Sequence, residues 1–312
     1  MKAEDIRRVL VVGGGTMGQQ IALQFALHGC DVVIYDLNDA VLEKARKRIG
    51  KLVRFVAPHQ RIPPERAEGV MDRIATTPVA EEAAAGADLV SESVPEDPEL
   101  KGRVLGMFDA LCPPEAVFTT NTSTLLPSMF AAATGRPERF LAFHFHDLRA
   151  NTVVDVMPHP GTAPATTALV TAFAERMGLI PIVLKKENFG YVFNAMLTTL
   201  FQSAQTLAAN EVASVEDIDR AWMGVMGMFI GPFGIMDSVG LDTVWHITDY
   251  WARKTRDPQS LKNAAFLKPY VDRGALGQKS GQGFYAYPNP AFTRPGFVAA
   301  RPDTENPPEE AP

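Results

Sequence analysis

Cysteine is scarce: Cys30 and Cys112 are the only two among 312 residues. Two thiols can close at most one bridge, so neither a disulfide framework nor a cysteine metal cluster is available. Cys30 opens an expected strand and reads as core packing. Long apolar runs are missing too, so no bilayer-spanning helix is expected. The start, Met1-Lys2-Ala3-Glu4-Asp5, has early acids and no apolar core, unlike a secretory leader. A reducing cytoplasm is therefore the expected location. Basic excess is also lacking: the net charge is -6. That argues against nucleic acid or an anionic membrane as a non-specific partner, though a local basic patch for a small anion stays open.

The sequence is rich in apolar residues, 46% against 21% charged, enough for a large core. Its length suggests two domains. Val9-Leu10-Val11-Val12 is a continuous apolar run, as in a parallel strand buried on both faces. Further strands are expected at 31–35, 88–91, 117–120, 140–143, 153–156 and 182–184. Helices are expected at 38–56, capped by Asn38 or Asp39, and near 98–111 and 165–177. Strands alternating with helices mean a doubly wound α/β sheet. From 190 to 275 only helical spacing remains. The expected division is an α/β domain over 1–186, an all-α domain over 187–290 and a flexible tail over 291–312, Pro- and Glu-rich from Arg301.

Gly13-Gly14-Gly15-Thr16-Met17-Gly18 fits G-x-G-x-x-G, directly after a strand and opening a helix. That context makes it the dinucleotide fingerprint of a Rossmann-type domain. Gly13 permits the turn, Gly15 lets backbone approach a pyrophosphate, and Gly18 lets helix and strand pack closely. Asp36 ends the second strand, roughly twenty residues on, where the fingerprint places the acid that binds ribose hydroxyls. Its charge would repel a 2'-phosphate, so NAD is expected rather than NADP. FAD shares the fingerprint.

Four more segments narrow the reading: Glu92-Ser93-Val94-Pro95-Glu96-Asp97 with Lys101, Thr120-Asn121-Thr122-Ser123, Phe143-His144-Phe145-His146, and Phe189-Gly190-Tyr191-Val192-Phe193-Asn194. With the glycine turn, Gly231-Pro232-Phe233, Asp237-Ser238-Val239-Gly240-Leu241-Asp242 and 276–285, the chain resembles the L-3-hydroxyacyl-CoA dehydrogenase family over residues 6–288. Pro158-His159-Pro160-Gly161 is similar to the lambda-crystallin/gulonate dehydrogenase branch, whose substrate is a free hydroxy acid.

The resemblance implies an NAD-dependent oxidoreductase that interconverts an (S)-3-hydroxyacyl-CoA and its 3-ketone, working as a homodimer. It implies His144 as acid/base, Asp155 as the carboxylate orienting it, and Ser123 and Asn194 on the reacting oxygen. Glu96, Lys101, Asn121 and Met17 would line the cofactor site. An imidazole suits the proton transfer because it titrates near neutrality. The basic helix face with Lys51 and Arg54 is the candidate for coenzyme A phosphates; a solvated helix face is its plain alternative. A free or carrier-bound hydroxy acid is the rival substrate, and a non-catalytic crystallin-like NAD binder the rival class.

The sequence departs from the family pattern after His144. His146-Asp147-Leu148-Arg149 replaces the usual Phe and Asn-Pro, and the gap to Asp155 is one residue short. Asp147 is therefore a rival for the orienting carboxylate, and Arg149 a candidate anion contact.

Overall fold

The computed structural model describes residues 1–299. It divides into two units, Met1–Ala195 and the chain from Met196 onward. The first holds eight strands: β1 (Arg8–Val12), β2 (Asp31–Tyr35), β3 (Ile74–Thr77), β4 (Leu89–Glu92), β5 (Val117–Thr120), β6 (Phe140–Phe145), β7 (Val153–Pro158) and β8 (Ile180–Val183). They form one sheet in the order β3-β2-β1-β4-β5-β6-β7-β8. β3 through β6 run parallel; β7 turns antiparallel to β6, and β8 follows β7. Helices α1 (Thr16–Leu27), α2 (Asp39–His59), α3 (Pro64–Glu68), α4 (Ala80–Ala84), α5 (Pro98–Leu111) and α6 (Pro164–Arg176) belong to this unit.

Strand periodicity builds two cores on this sheet. Val9 and Val11 of β1 join one buried cluster with Ile21, Phe25 and Phe173, while Leu10 joins another with Val90, Leu105 and Phe118. Alternate residues face opposite sides, so a strand covered on both must be apolar throughout. Asn38 is the cap of α2, its side chain accepting the Ala40 N–H at 2.9 Å. Asp97 caps α5 in the same way, with Pro98 in the first turn. The sequence reading misses β3. This short edge strand has one buried residue, so it carries little apolar signal.

The second unit holds α8 (Val215–Met226), α9 (Pro232–Val239), α10 (Leu241–Thr255) and α11 (Pro258–Asp272). α7 (Phe193–Ala209) begins just before Met196. The unit boundary lies later than 186 because Tyr191 is buried with Ala142, Met157 and Leu184 of the sheet unit. The tail expected from 291 is anchored in its first nine residues by two side chains, Phe292 and Phe297, buried in the second unit's core. Arg220 also donates to the Phe297 carbonyl at 2.7 Å. The rest of that tail lies outside the described residues.

Asp237 ties the second unit together. This buried carboxylate accepts the Phe284 N–H at 2.9 Å, the Tyr285 N–H at 3.0 Å and the Tyr287 hydroxyl at 3.0 Å. Asn in its place would turn an amide against one of these donors. Asp237→Asn is expected to cost about 3 kcal/mol, the order for unpaired buried polar groups. Urea unfolding checks it; an unchanged midpoint would sink the assignment.

Candidate active site

The parallel strand order reverses between β1 and β4, which leaves a crevice at their carboxyl ends. The glycine turn fills one side. Gly13 sits at φ +107°, and a Cβ there would lie 2.7 Å from the Ser93 carbonyl oxygen. A Cβ on Gly18 would overlap the Gly13 carbonyl oxygen. At Gly15 a Cβ would meet nothing within 4 Å, so backbone stands open to the crevice there. No side chain caps α1, and its first residues line the cleft. Its free N–H groups and dipole therefore suit a pyrophosphate. Asp36 accepts the Gly14 N–H at 2.9 Å and the Asn38 N–H at 3.2 Å. These bonds fix the carboxylate at the cleft wall with lone pairs to spare for ribose hydroxyls. The turn, the uncapped helix and the acid together fit NAD.

The other wall is an ion cluster. Lys101, almost wholly buried, donates to Glu92 at 2.8 Å and to the Val94 carbonyl at 3.1 Å, and lies 3.3 Å from Glu96. Glu92 also accepts the Thr120 hydroxyl at 2.6 Å and the Val94 N–H at 2.7 Å. Burial pushes the Glu92 carboxyl above its ordinary range, with Lys101 pulling back. For Glu96 burial also works upward, but Lys101 and the Thr122 and Thr124 hydroxyls outweigh it and hold the group ionised. One Glu96 oxygen gathers the Thr122 hydroxyl, the Ser123 and Thr124 N–H groups at 3.1 Å each, and the Thr124 hydroxyl at 2.8 Å. Glu96 therefore shapes the loop that carries Ser123. Asn121 accepts the Phe145 N–H at 2.8 Å, joining the ends of β5 and β6. The sequence reading gave Glu92 no role. Its signal was an acid ending a wholly buried strand, which demands a cation nearby.

β6 and β7 supply a buried histidine–carboxylate pair. Their antiparallel register sets His144 opposite Asp155, and His144 Nδ1 lies 2.9 Å from Asp155 Oδ2. Both are buried. Burial lowers the His144 pKa, and the Asp155 hydrogen bond works against it. Burial would raise Asp155, but contact with His144 and His146 holds it below its ordinary value. Tyr191 stacks on the His144 ring at 4.7 Å and 28°, and its hydroxyl donates to the Thr122 carbonyl at 2.6 Å. That support was not foreseen. Asp147 is engaged elsewhere: Arg149 Nε reaches its two oxygens at 2.8 and 3.1 Å. The rival carboxylate is thus spent on Arg149, and Arg149 on it.

The cleft is ≈ 830 Å³ and runs from Gly13, Gly15, Met17 and Asp36 past Glu96, Lys101, Asn121 and Ser123 to His144. Asn194, half-buried in the first turn of α7, is not among its lining residues. Lys51 and Arg54 lie exposed on α2, also outside the lining.

Residues 8–188 match the 3-hydroxyacyl-CoA dehydrogenase, NAD binding domain family, and residues 190–287 its C-terminal domain. The chain is 32% identical over 289 residues to a probable 3-hydroxyacyl-CoA dehydrogenase of Caenorhabditis elegans, covering 91% of this chain and 97% of that one. It is 32% identical to a probable 3-hydroxybutyryl-CoA dehydrogenase of Bacillus subtilis (strain 168), covering 91% and 98%. Among solved structures, a diketoreductase described as acting on dicarbonyl compounds superposes with a TM-score of 0.83 at 38% identity, covering 90% and 99%. The (S)-3-hydroxybutyryl-CoA dehydrogenase PaaH1 of Ralstonia eutropha gives 0.81 at 28%, covering 91% and 100%.

Lys101→Met would leave Glu92 buried without its cation. The expected loss is about 3–5 kcal/mol of stability, recovered in part by adding Glu92→Leu. Denaturant titration of both variants checks it; a single variant as stable as the parent would overturn the assignment.

Proposed function

The chain belongs to the 3-hydroxyacyl-CoA dehydrogenase family, and from that premise we propose that it interconverts (S)-3-hydroxyacyl-CoA and 3-ketoacyl-CoA with NAD. One observation carries the reading: a buried imidazole backed by a carboxylate lines the same cleft as an open glycine turn. Burying such a pair is costly, and a purely nucleotide-binding protein gains nothing from it.

When bound along the cleft, NAD supplies the hydride acceptor. The chain's residues handle the proton. Asp155 accepts the Nδ1–H of His144, which leaves Nε2 to take the hydroxyl proton of the substrate. Asp155 stays ionised and stabilises the imidazolium that results, while Tyr191 holds the ring plane. Ser123 and Asn194 are assigned to the oxygen where charge develops. The exposed basic face of α2, with Lys51 and Arg54, is assigned to coenzyme A phosphates. A homodimer is proposed through the second unit, supported by the exposed side chains of Val225, Met226 and Phe229; light scattering of the purified chain checks it. The cytoplasm is the proposed location; among the described residues no helix is long and apolar enough to cross a membrane.

A second reading keeps the chemistry and changes the substrate to a small free dicarbonyl compound or hydroxy acid. The diketoreductase likeness, at 38% identity, favours it. The two readings separate on kcat/KM for acetoacetyl-CoA against free diketones and acetoacetate. On the CoA reading, Lys51→Glu with Arg54→Glu raises KM for acetoacetyl-CoA roughly tenfold, equivalent to about 1.4 kcal/mol. It leaves a small diketone unaffected. A better kcat/KM for the free compounds in the parent chain defeats the CoA assignment.

His144→Gln is expected to lower kcat by about 10²–10⁴-fold. Oxidation needs the neutral ring, so kcat/KM falls as pH drops through the His144 pKa. The groups facing that ring are Asp155, His146, Glu96 and Tyr191. Burial draws the limb below the ordinary 6.5. Asp155 opposes that shift, so Asp155→Asn should move the limb lower still as well as reduce kcat. Unchanged turnover in His144→Gln would overturn the mechanism.

A further inference from the structure

His146 has no part in the hydride chemistry, yet it stands against the same carboxylate. It lies two residues beyond His144, just past the end of β6, and its ring comes to the same side as that of His144. Its Nε2 is 3.2 Å from Asp155 Oδ2, the oxygen that already holds His144 at 2.9 Å. That nitrogen is buried but makes no hydrogen bond among the described residues. The two rings meet edge to face at 4.7 Å. One carboxylate oxygen is thus shared by two imidazoles, and only one is aligned to donate to it.

We propose that His144, His146 and Asp155 form a binding site for a first-row divalent cation, Zn2+ foremost, which switches the dehydrogenase off. The three ligand atoms lie within 4.8 Å of one another. Around a tetrahedral zinc they would lie roughly 3.3 Å apart. The two edges to Asp155, 2.9 and 3.2 Å, are already near that value, and the third is no longer than 4.8 Å. Two imidazole nitrogens and one carboxylate oxygen suit zinc, cobalt or nickel and not magnesium or calcium, which prefer all-oxygen sites. Strands β6 and β7 hold two of the ligands rigidly, the preorganisation a metal site needs. His144 and His146 both line the cleft, which is the route a cation would take to the three ligands.

The inhibition follows from proton bookkeeping. The cation takes the His144 Nδ1 lone pair, and the proton that Nδ1 held moves to Nε2. A ring protonated at Nε2 has no lone pair left for the substrate hydroxyl. Asp155, now bound to the cation, no longer orients the ring. No bond to carbon and no electron transfer is involved. The inhibitory half rests on the dehydrogenase reading; the binding half does not.

Cobalt titration of untagged, chelator-treated full-length protein tests the site. One equivalent of Co2+ should give the visible bands of a nitrogen-ligated four- or five-coordinate ion, and Zn2+ should bleach them. His146→Phe and His146→Gln should each weaken binding by at least about tenfold. Retained NAD binding shows that the variants are folded. Zn2+ should inhibit acetoacetyl-CoA reduction by the parent at concentrations that leave His146→Phe at its own metal-free rate. No cobalt bands, or bands unaltered in both His146 variants, would overturn the site. Cobalt bands without zinc inhibition would overturn the switch. Metal-free protein with no turnover at all would count against the dehydrogenase reading, with the cobalt result still deciding the site.

Discussion

The antiparallel pairing of β6 with β7 is the constraint on which the site turns. Five connections carry the chain through six parallel strands to β6, and a seventh parallel strand would need another crossover. A short return instead brings β7 back alongside, with His144 facing Asp155 in register. A one-residue slip would turn the carboxylate to the opposite side of the sheet. Burial on both faces forbids that slip, because Val154 and Val156 would then exchange places with Asp155. The same packing that makes the sheet stable therefore aims the acid at the base.

The rest of the cleft solves one problem repeatedly: polar groups must be dry enough to act and paired well enough to persist. Glu92 and Lys101 satisfy each other, and their remaining lone pairs and protons are taken by Thr120, Val94 and Glu96. Glu96 in turn fastens the loop that bears Ser123. Tyr191 closes the circuit from the other side, holding the His144 ring while bonding to the Thr122 carbonyl. Each functional side chain is thus restrained by a neighbour that is itself restrained. Such preorganisation lets an electrostatic site act without paying reorganisation at the moment of reaction.

Most of this architecture was legible in the residues. Short apolar runs marked seven strands, and Asn38 or Asp39 marked the start of α2. The glycine spacing and Asp36 located the nucleotide crevice. What escaped was set by three-dimensional neighbours. β3 has too few buried positions to announce itself. Glu92 was given no role, because its partner Lys101 lies nine residues on and meets it only after α5 packs. Tyr191 stood in the 189–194 motif with no role of its own, and its stacking on His144 depends on how the segment after β8 returns to the sheet. The short gap before Asp155 looked damaging when measured along the chain. Measured across the ladder it is harmless, since register and not loop length sets the His144–Asp155 distance.

The loop after β6 departs from the family pattern while His144 and Asp155 stay paired. Asp147 and Arg149 neutralise each other in a bidentate pair, so this pair brings no net charge to the substrate. His146 is different, because it adds a basic nitrogen next to a carboxylate already in use. An apolar ring there would leave Asp155 with a single partner and a single task. Two imidazoles thus face one carboxylate oxygen, and the proposed cation would act through the same contacts that hold His144.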